Sequence, residues 1–418
     1  MSGDIKPVPP ARCLDLSRLI SRVGRGPATG IDRVELAYLQ ALCGGDVALF
    51  ALVRTGLGYF LLDHAGAGKL LDRLLGKVPW GPPDVLSRLF LKASDEKRAA
   101  ISDLRRLCLA RSGKGGLAAM LSRHLPSGVV YLNVGHSNLE RHVFETFHNT
   151  CNGRVSVLIH DMIPLDFPEY QRPGTVEAFE ARLRRVGELA DLVIYNSDQS
   201  RADGERYFSE WGRVPDAIVA HLGVDIAPPD PAQLPTGLDL SRPYFVSVGT
   251  IEPRKNHALL LDIWDHFSKE HAPEAVANLF IVGNRGWNNE EVFRRLDDPT
   301  LSQRHVFELT GLSDGAMSAL VGRAQAMLFP SFAEGYGLPP CEAIAQGVPV
   351  VANDLPVYRE MLGNIPVYAN VRDMYSWAKI IRQLAEQNEA EKLARNGSLG
   401  AHVLTNWQDH FRLVLQVT

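Results

Sequence analysis

The chain has 418 residues, 45% of them hydrophobic, and a formal net charge of −4. That is enough apolar material for more than one core and too near neutrality for a general nucleic-acid binder. Its five cysteines (Cys13, Cys43, Cys108, Cys151 and Cys341) are scattered and form no CxxC pair, which argues against a disulfide framework or a zinc site and fits a reducing cytoplasm.

The opening segment, MSGDIKPVPPARCLDLS, has no apolar signal core, and no run of about 18 apolar residues follows it, so a protein without a membrane span is expected. RCLDLS reads as a first strand that leads through a glycine-bearing loop into the helix DRVELAYLQALC. Between about residues 67 and 125 the pattern is helical and basic, with twelve Lys and Arg against five Asp and Glu. Interleaved with LLDRLLG and VLSRLFLK, this insert has the composition of a surface that lies on an anionic membrane. VVYLNVG, VSVLIHDM, LVIYNS and AIVAHLGV then read as strands, with helices such as FEARLRRVGELA between them.

Residues 226–243, IAPPDPAQLPTGLDLSRP, break both periodicities and read as a linker. Beyond it, YFVSVG, LFIVGN, VFELTG, AMLFPS, VPVVAND and IPVYAN alternate with helical segments. Strands of four to eight residues, each followed by an amphipathic helix, predict a doubly wound α/β domain with a parallel sheet. The expected organisation is a first domain over 1–230, a second over 231–403, and a terminal helix, TNWQDHFRLVLQ, that crosses back to the first domain over 404–418.

Open α/β sheets bind ligands at the carboxyl ends of their strands. After YFVSVG comes TIEPRKN, where Arg254 and Lys255 suit a diphosphate. After AMLFPS comes FAEGYGLPPCEAIAQG, which places Glu334 on a loop and Glu342 in the first turn of a helix starting at Pro339 or Pro340. Gly335 and Gly337 let backbone approach a ligand, and the free helix N-terminus attracts phosphate. Carboxylates for diols and cations for phosphates describe a nucleotide-sugar site. Gly24 and Gly26 in RVGRGPATG have GxGxxxG spacing and do not form a dinucleotide fingerprint.

EGYGLPPCEAIAQGVPVVA resembles the E-x7-E signature of retaining GT-B glycosyltransferases, specifically family 4. VGTIEPRKN resembles that family's phosphate loop, and GNRGW, LTGLSD, TGIDRVELAYLQAL, VLIHDMIP, LVIYNSDQSR and HLGVD resemble its other strand-end segments. The resemblance implies two Rossmann-like domains facing a central cleft. It also implies that Arg254 and Lys255 neutralise the donor diphosphate, Glu342 holds the ribose, and Glu334 holds donor-sugar hydroxyls with backbone N–H groups of Gly335, Tyr336, Gly337 and Leu338. The backbone of Leu312 would help seat the base, His160 would reach the donor sugar from the first domain, and Gly30 would let the first loop approach the phosphates. Asp161 would orient local backbone, and His136 is a weaker candidate at a neighbouring strand end. Asp32 stands where the family usually has glycine, which leaves the loop's phosphate contact open.

The function implied is metal- and cofactor-independent transfer of a hexose, with retention, from GDP-mannose to a lipid-linked or polysaccharide acceptor at the inner face of a cell membrane. UDP-glucose or another nucleotide hexose is the alternative donor. A nucleotide-sugar epimerase or a non-catalytic nucleotide-sugar-binding protein are the alternative classes. Nucleic acid is not an expected partner.

Overall fold

A computed structural model of the protein describes residues 8–88, 93–298, 305–387, 390–392 and 404–418. Lys92 of the basic insert and the expected end of the second domain at 393–403 lie outside the described residues.

The first domain is built on an eight-stranded sheet in the order β4-β3-β2-β1-β5-β6-β7-β8. In chain order its strands are β1 Ala11–Asp15, β2 Ala48–Thr55, β3 Gly58–Leu62, β4 Ala110–Ser112, β5 Val130–Asn133, β6 Arg154–Ile159, β7 Leu192–Tyr195 and β8 Asp216–Val219. β1 is central, with Cys13 opposite Phe50 on β2 and Tyr131 on β5. All five of its residues are buried, because helices cover both faces of the parallel part. The alternation of strands and helices predicts a doubly wound, Rossmann-like arrangement here too, whereas β3 runs antiparallel to both β2 and β4. The Thr55–Gly58 turn closes a hairpin there, and the three-residue β4 is too short to show an alternating pattern inside a segment that reads as helical.

The insert between β3 and β5 contains the helices His64–Leu74, Val85–Arg88, Asp95–Leu107 and Leu117–His124. Much of its positive charge is used internally. Arg105 Nε donates to Asp84 Oδ2 at 2.6 Å, Arg73 Nε to Asp103 Oδ2 at 2.6 Å, and Arg106 Nη1 to Asp103 Oδ1 at 2.8 Å. Lys69, Lys77, Arg111 and Arg123 remain exposed, as do Val85 (76%) and Leu86 (54%).

The second domain has a six-stranded, wholly parallel sheet in the order β11-β10-β9-β12-β13-β14. Its strands are β9 Tyr244–Val248, β10 Asn278–Val282, β11 Val306–Leu309, β12 Ala326–Phe329, β13 Val350–Ala352 and β14 Val367–Tyr368. Two apolar clusters, one around Trp264 and Trp377 and one around Ile344 and Tyr358, cover its two faces.

The terminal helix Trp407–Val417 does cross back. Phe411 and Val414 join the first domain's core, and Arg12 Nη2 donates to the Leu415 carbonyl at 3.0 Å. His410 Nδ1–H donates to the Ala220 and His221 carbonyls, both at 3.1 Å, while its Nε2 accepts from the Tyr38 hydroxyl at 2.8 Å. Among the described residues, no helix is long and apolar enough to cross a membrane.

Candidate functional site

In the second sheet β9 lies between β10 and β12, so the order in which strands are added reverses there and the connections after β9 and β12 lead to opposite sides, which leaves a crevice. The β9 loop ends in the short turn Pro253–Lys255, and Asn256 at φ 54° redirects the chain into the helix His257–Glu270. Phe332 N–H donates to the Arg254 carbonyl at 2.9 Å, which ties the two loops together.

The side chains meet in one cluster. Lys255 Nζ donates to Glu334 Oε1 at 2.7 Å, and Arg254 Nη1 donates to Glu334 Oε2 at 2.9 Å and to the Ala333 carbonyl at 2.6 Å. The other edge of the guanidinium grips Glu252 Oε1 at 2.6 Å. Burial works to raise the Glu334 carboxyl, but Lys255 and Arg254 outweigh it and hold it down at about 2. Burial opposes charge on Arg254 as well, yet Glu334, Glu252 and Asp161 hold its pKa above the ordinary value. Lys255 is lowered, chiefly by burial. Two cations are thus fixed in a dry site by carboxylates on one side, which is the arrangement that can hand a diphosphate over without reorganising.

After β12, residues 330–337 form an irregular loop that ends in the helix Leu338–Ala345. The helix begins at Leu338, one residue before the expected prolines, because proline is tolerated at the first positions. Glu342 is consequently the fifth helical residue and lies beyond the first turn. Gly337 caps the helix at φ 97°, and a Cβ there would come within 2.7 Å of the Tyr358 ring. At Gly335 a Cβ would sit 2.7 Å from Asp161 Oδ2, so only glycine lets the β12 loop pack this closely on the first domain.

Glu342 faces the first domain, where Arg33 Nη1 lies 2.6 Å from its Oε1. Burial pushes the Glu342 carboxyl up, Arg33 pulls it down, and Asp314 and Asp225 add to the rise. Leu312, just before that Asp314 turn, is partly buried against the second-domain core.

From the first domain, His160 follows β6 and is buried. Its Nε2–H donates to the Val134 carbonyl at 2.7 Å, and burial holds its pKa at about 4, so the ring is neutral near pH 7. His136, after β5, mirrors it by donating from Nε2 to the Leu158 carbonyl at 2.9 Å. Asp161 Oδ1 accepts the Ile163 N–H at 3.1 Å and so holds local backbone. Gly30 opens the helix Gly30–Cys43 directly opposite Leu338, whose Cδ1 would lie 3.8 Å from a Cβ at Gly30. Asp32 serves the start of that helix. Its Oδ2 accepts the Thr29 N–H at 2.8 Å while Thr29 Oγ1 accepts the Asp32 N–H, a capping box. Arg18 and Arg22 pair with the same carboxylate at 3.0 and 3.2 Å.

Residues 234–399 match the family model for glycosyl transferases group 1. The second domain is a glycosyl transferases group 1 domain. The chain is 32% identical over 248 residues to the serotype-specific mannosyltransferase WbdA of Escherichia coli, an alignment covering 55% of this chain and 30% of that protein. It is 26% identical over 261 residues to the O-antigen chain mannosyltransferase B of E. coli, covering 61% of this chain and 68% of that one. The chain therefore spans less than a third of the first of these relatives. Among solved structures, Anabaena HepE in complex with UDP and glucose superposes with a TM-score of 0.61 at 15% identity, covering 97% of this chain and 98% of that one. Trehalose-6-phosphate synthase OtsA gives 0.59 at 13% identity, covering 98% and 99%. The fold is GT-B.

Sequence reasoning missed the residues that join the glycosyl transferases group 1 domain to the first. Besides Arg33, the Tyr336 hydroxyl donates to the Leu222 carbonyl at 2.8 Å, so its side chain braces the domains while its backbone stays at the crevice. Glu360 accepts the Asp198 and Gln199 N–H groups at 2.6 and 3.1 Å and contacts His221 Nε2 at 2.8 Å, capping a first-domain helix from across the cleft. Trp287 Nε1 donates to the Tyr170 carbonyl at 2.7 Å. Arg33 lies inside TGIDR and Trp287 inside GNRGW, so both motifs carried the signal. Glu360 had none, because its role exists only once the domains meet.

Proposed function

We propose that the protein is a retaining hexosyltransferase that moves mannose from GDP-mannose to a hydroxyl of a lipid-linked or polysaccharide acceptor. The observation that carries this reading is the Arg254–Lys255–Glu334 cluster at the second sheet's switch point, on a loop whose Gly335 and Leu338 pack against His160 and Gly30 of the first domain. Arg254, Lys255 and the N-terminus at Leu338 would meet the charge of the leaving diphosphate, so the reaction needs neither metal nor cofactor. Glu334 would hold sugar hydroxyls, Glu342 the ribose and Leu312 the base. The neutral His160, with its Nε2–H held by the Val134 carbonyl, would accept a hydrogen bond from a sugar hydroxyl at Nδ1 without adding charge. Among the described residues no side chain is placed as a covalent nucleophile, which favours front-face transfer through an oxocarbenium-like transition state. Similarity to WbdA and mannosyltransferase B supports mannose as the sugar, and the UDP-glucose complex of HepE supports a glucosyl donor as the second reading.

The acceptor reading places the protein at the cytoplasmic face of a membrane, with the exposed Lys69, Lys77, Val85 and Leu86 of the insert against anionic lipid. Co-sedimentation with anionic vesicles at low salt tests it, and no difference from neutral vesicles would end it.

A panel of nucleotide sugars incubated with an oligosaccharide acceptor tests the central reading. Acceptor-dependent release of GDP with an α-linked product is expected. Conversion of the donor without acceptor would indicate an epimerase, and binding without turnover a non-catalytic protein.

A further inference from the structure

The first sheet has its own switch point, between β1 and β5, and a cavity of about 510 Å³ opens there. It is lined by Arg54, Lys97, Lys114 and Arg182 against a single carboxylate, Glu140. Arg54 already engages Glu140 at 2.9 Å. Among the described residues, Lys97, Lys114 and Arg182 have no carboxylate in an ion pair. Lys97 Nζ donates to the Ile20 carbonyl, and burial, with Arg25 nearby, pushes it down to about 8. Arg182 is half-buried and donates only to the Ala178 and His136 carbonyls, at 3.1 and 3.4 Å. Four cations against one carboxylate leave the lining with a net positive charge, and the partial burial of Lys97 and Arg182 makes that excess costly unless an anionic ligand offsets it.

The loop on the cavity's other side bears the mark of a functional site. His136 and Asn138 both adopt left-handed backbone, at φ 57° and 61°, a strain that packing must hold. Asn138 Nδ2 does so by donating to the buried Asp15 at 2.8 Å. The ring of His136 lies 5.1 Å from that of His160, which connects the cavity to the transfer crevice.

We propose that this cavity holds a phosphoryl group carried by the acceptor, so that acceptors bear a phosphate monoester or a diphosphate near the hydroxyl that is glycosylated. The inference rests on the transferase reading above for the word acceptor, and on the cavity alone for the phosphoryl group.

Two measurements on the full chain test it. In the first, inorganic phosphate is titrated calorimetrically with GDP present at saturation to occupy the donor site. One saturable site is expected, weakened at least about tenfold in Lys114→Gln/Arg182→Gln. Lys114→Gln alone, an exposed substitution that leaves packing intact, should weaken it in the same direction. No saturable binding, or equal binding in the double variant, overturns the proposal. In the second, kcat/KM is compared for methyl α-mannoside, its 6-phosphate, and a mannoside on a short polyprenyl diphosphate. A preference for either phosphorylated acceptor over the neutral one should fall about tenfold in the double variant, and which of the two is preferred identifies the source of the phosphoryl group. An unaltered preference overturns the proposal. If the wild type transfers to none of the three while phosphate binding behaves as expected, the cavity stands and the transferase reading falls.

Discussion

Lys255 and Glu334, which the sequence suggests for the diphosphate and the sugar of one donor, are bonded to each other at 2.7 Å. Arg254 holds the second carboxylate oxygen at 2.9 Å. The two cations and the carboxylate thus compensate one another in a buried cluster. Removing Lys255 strips one fixed positive charge from the leaving diphosphate. Lys255→Ala should therefore lower kcat by about 10²–10³-fold, with Arg254→Ala at least as severe because Glu252 loses its partner and Glu334 one of its two. Steady-state kinetics with the preferred donor checks this, and a loss under about fivefold in both variants would remove the phosphate role.

The same cluster gives stability a pH dependence. Glu334 is depressed from 4.5 to about 2. A carboxyl lowered on folding adds stability that is complete above its unfolded pKa and is lost as pH falls through the folded value. The wild type should therefore lose stability between about pH 4.5 and 2 more steeply than Glu334→Gln. Thermal melts at stepped pH read the difference; parallel acid limbs would mean that the carboxylate is not held by Lys255 and Arg254.

Arg33 occupies Glu342, the carboxylate proposed for ribose, at 2.6 Å. The pair is partly exposed, so it is worth less than about 1 kcal/mol. Arg33→Met should strengthen nucleotide diphosphate binding, by no more than about fivefold. Weaker binding by calorimetry would instead place Arg33 itself on the nucleotide.

Tyr336 joins the domains through its hydroxyl and the Leu222 carbonyl, both buried. Tyr336→Phe leaves that carbonyl without its donor and should cost about 1–3 kcal/mol, read as a fall in Tm of several degrees or less. An unchanged Tm would show that the contact is not maintained in solution.

The second domain is the more legible because each strand is apolar, bounded and followed by a helix, and because its candidate site sits on the loops after two neighbouring strands, β9 and β12. Glu334, Arg254 and Lys255 could be picked out from loop chemistry alone. Two local errors have local causes. The β2–β3 hairpin and β4 were hidden by brevity and by a basic, helix-like neighbourhood. Glu342 lies one or two residues further into the helix than expected, because the prolines mark the beginning of the helix without fixing its first residue. Asp32 illustrates a different gap: as a departure from the family pattern it left the loop's role open, whereas in the structure it caps a helix and holds Arg18 and Arg22. Contacts between domains, such as Glu360 with His221, depend on how two separately folded units meet, and no periodicity records that.

The central claim is that Arg254, Lys255, Glu334 and Glu342 together form one nucleotide-sugar site. Calorimetric titration of GDP-mannose, with UDP-glucose alongside, into the wild type and into Lys255→Ala tests it most directly. One donor should bind the wild type at a single site and bind the variant at least about tenfold more weakly. Equal affinity in the two proteins, or no binding of either donor to the wild type, would contradict the account.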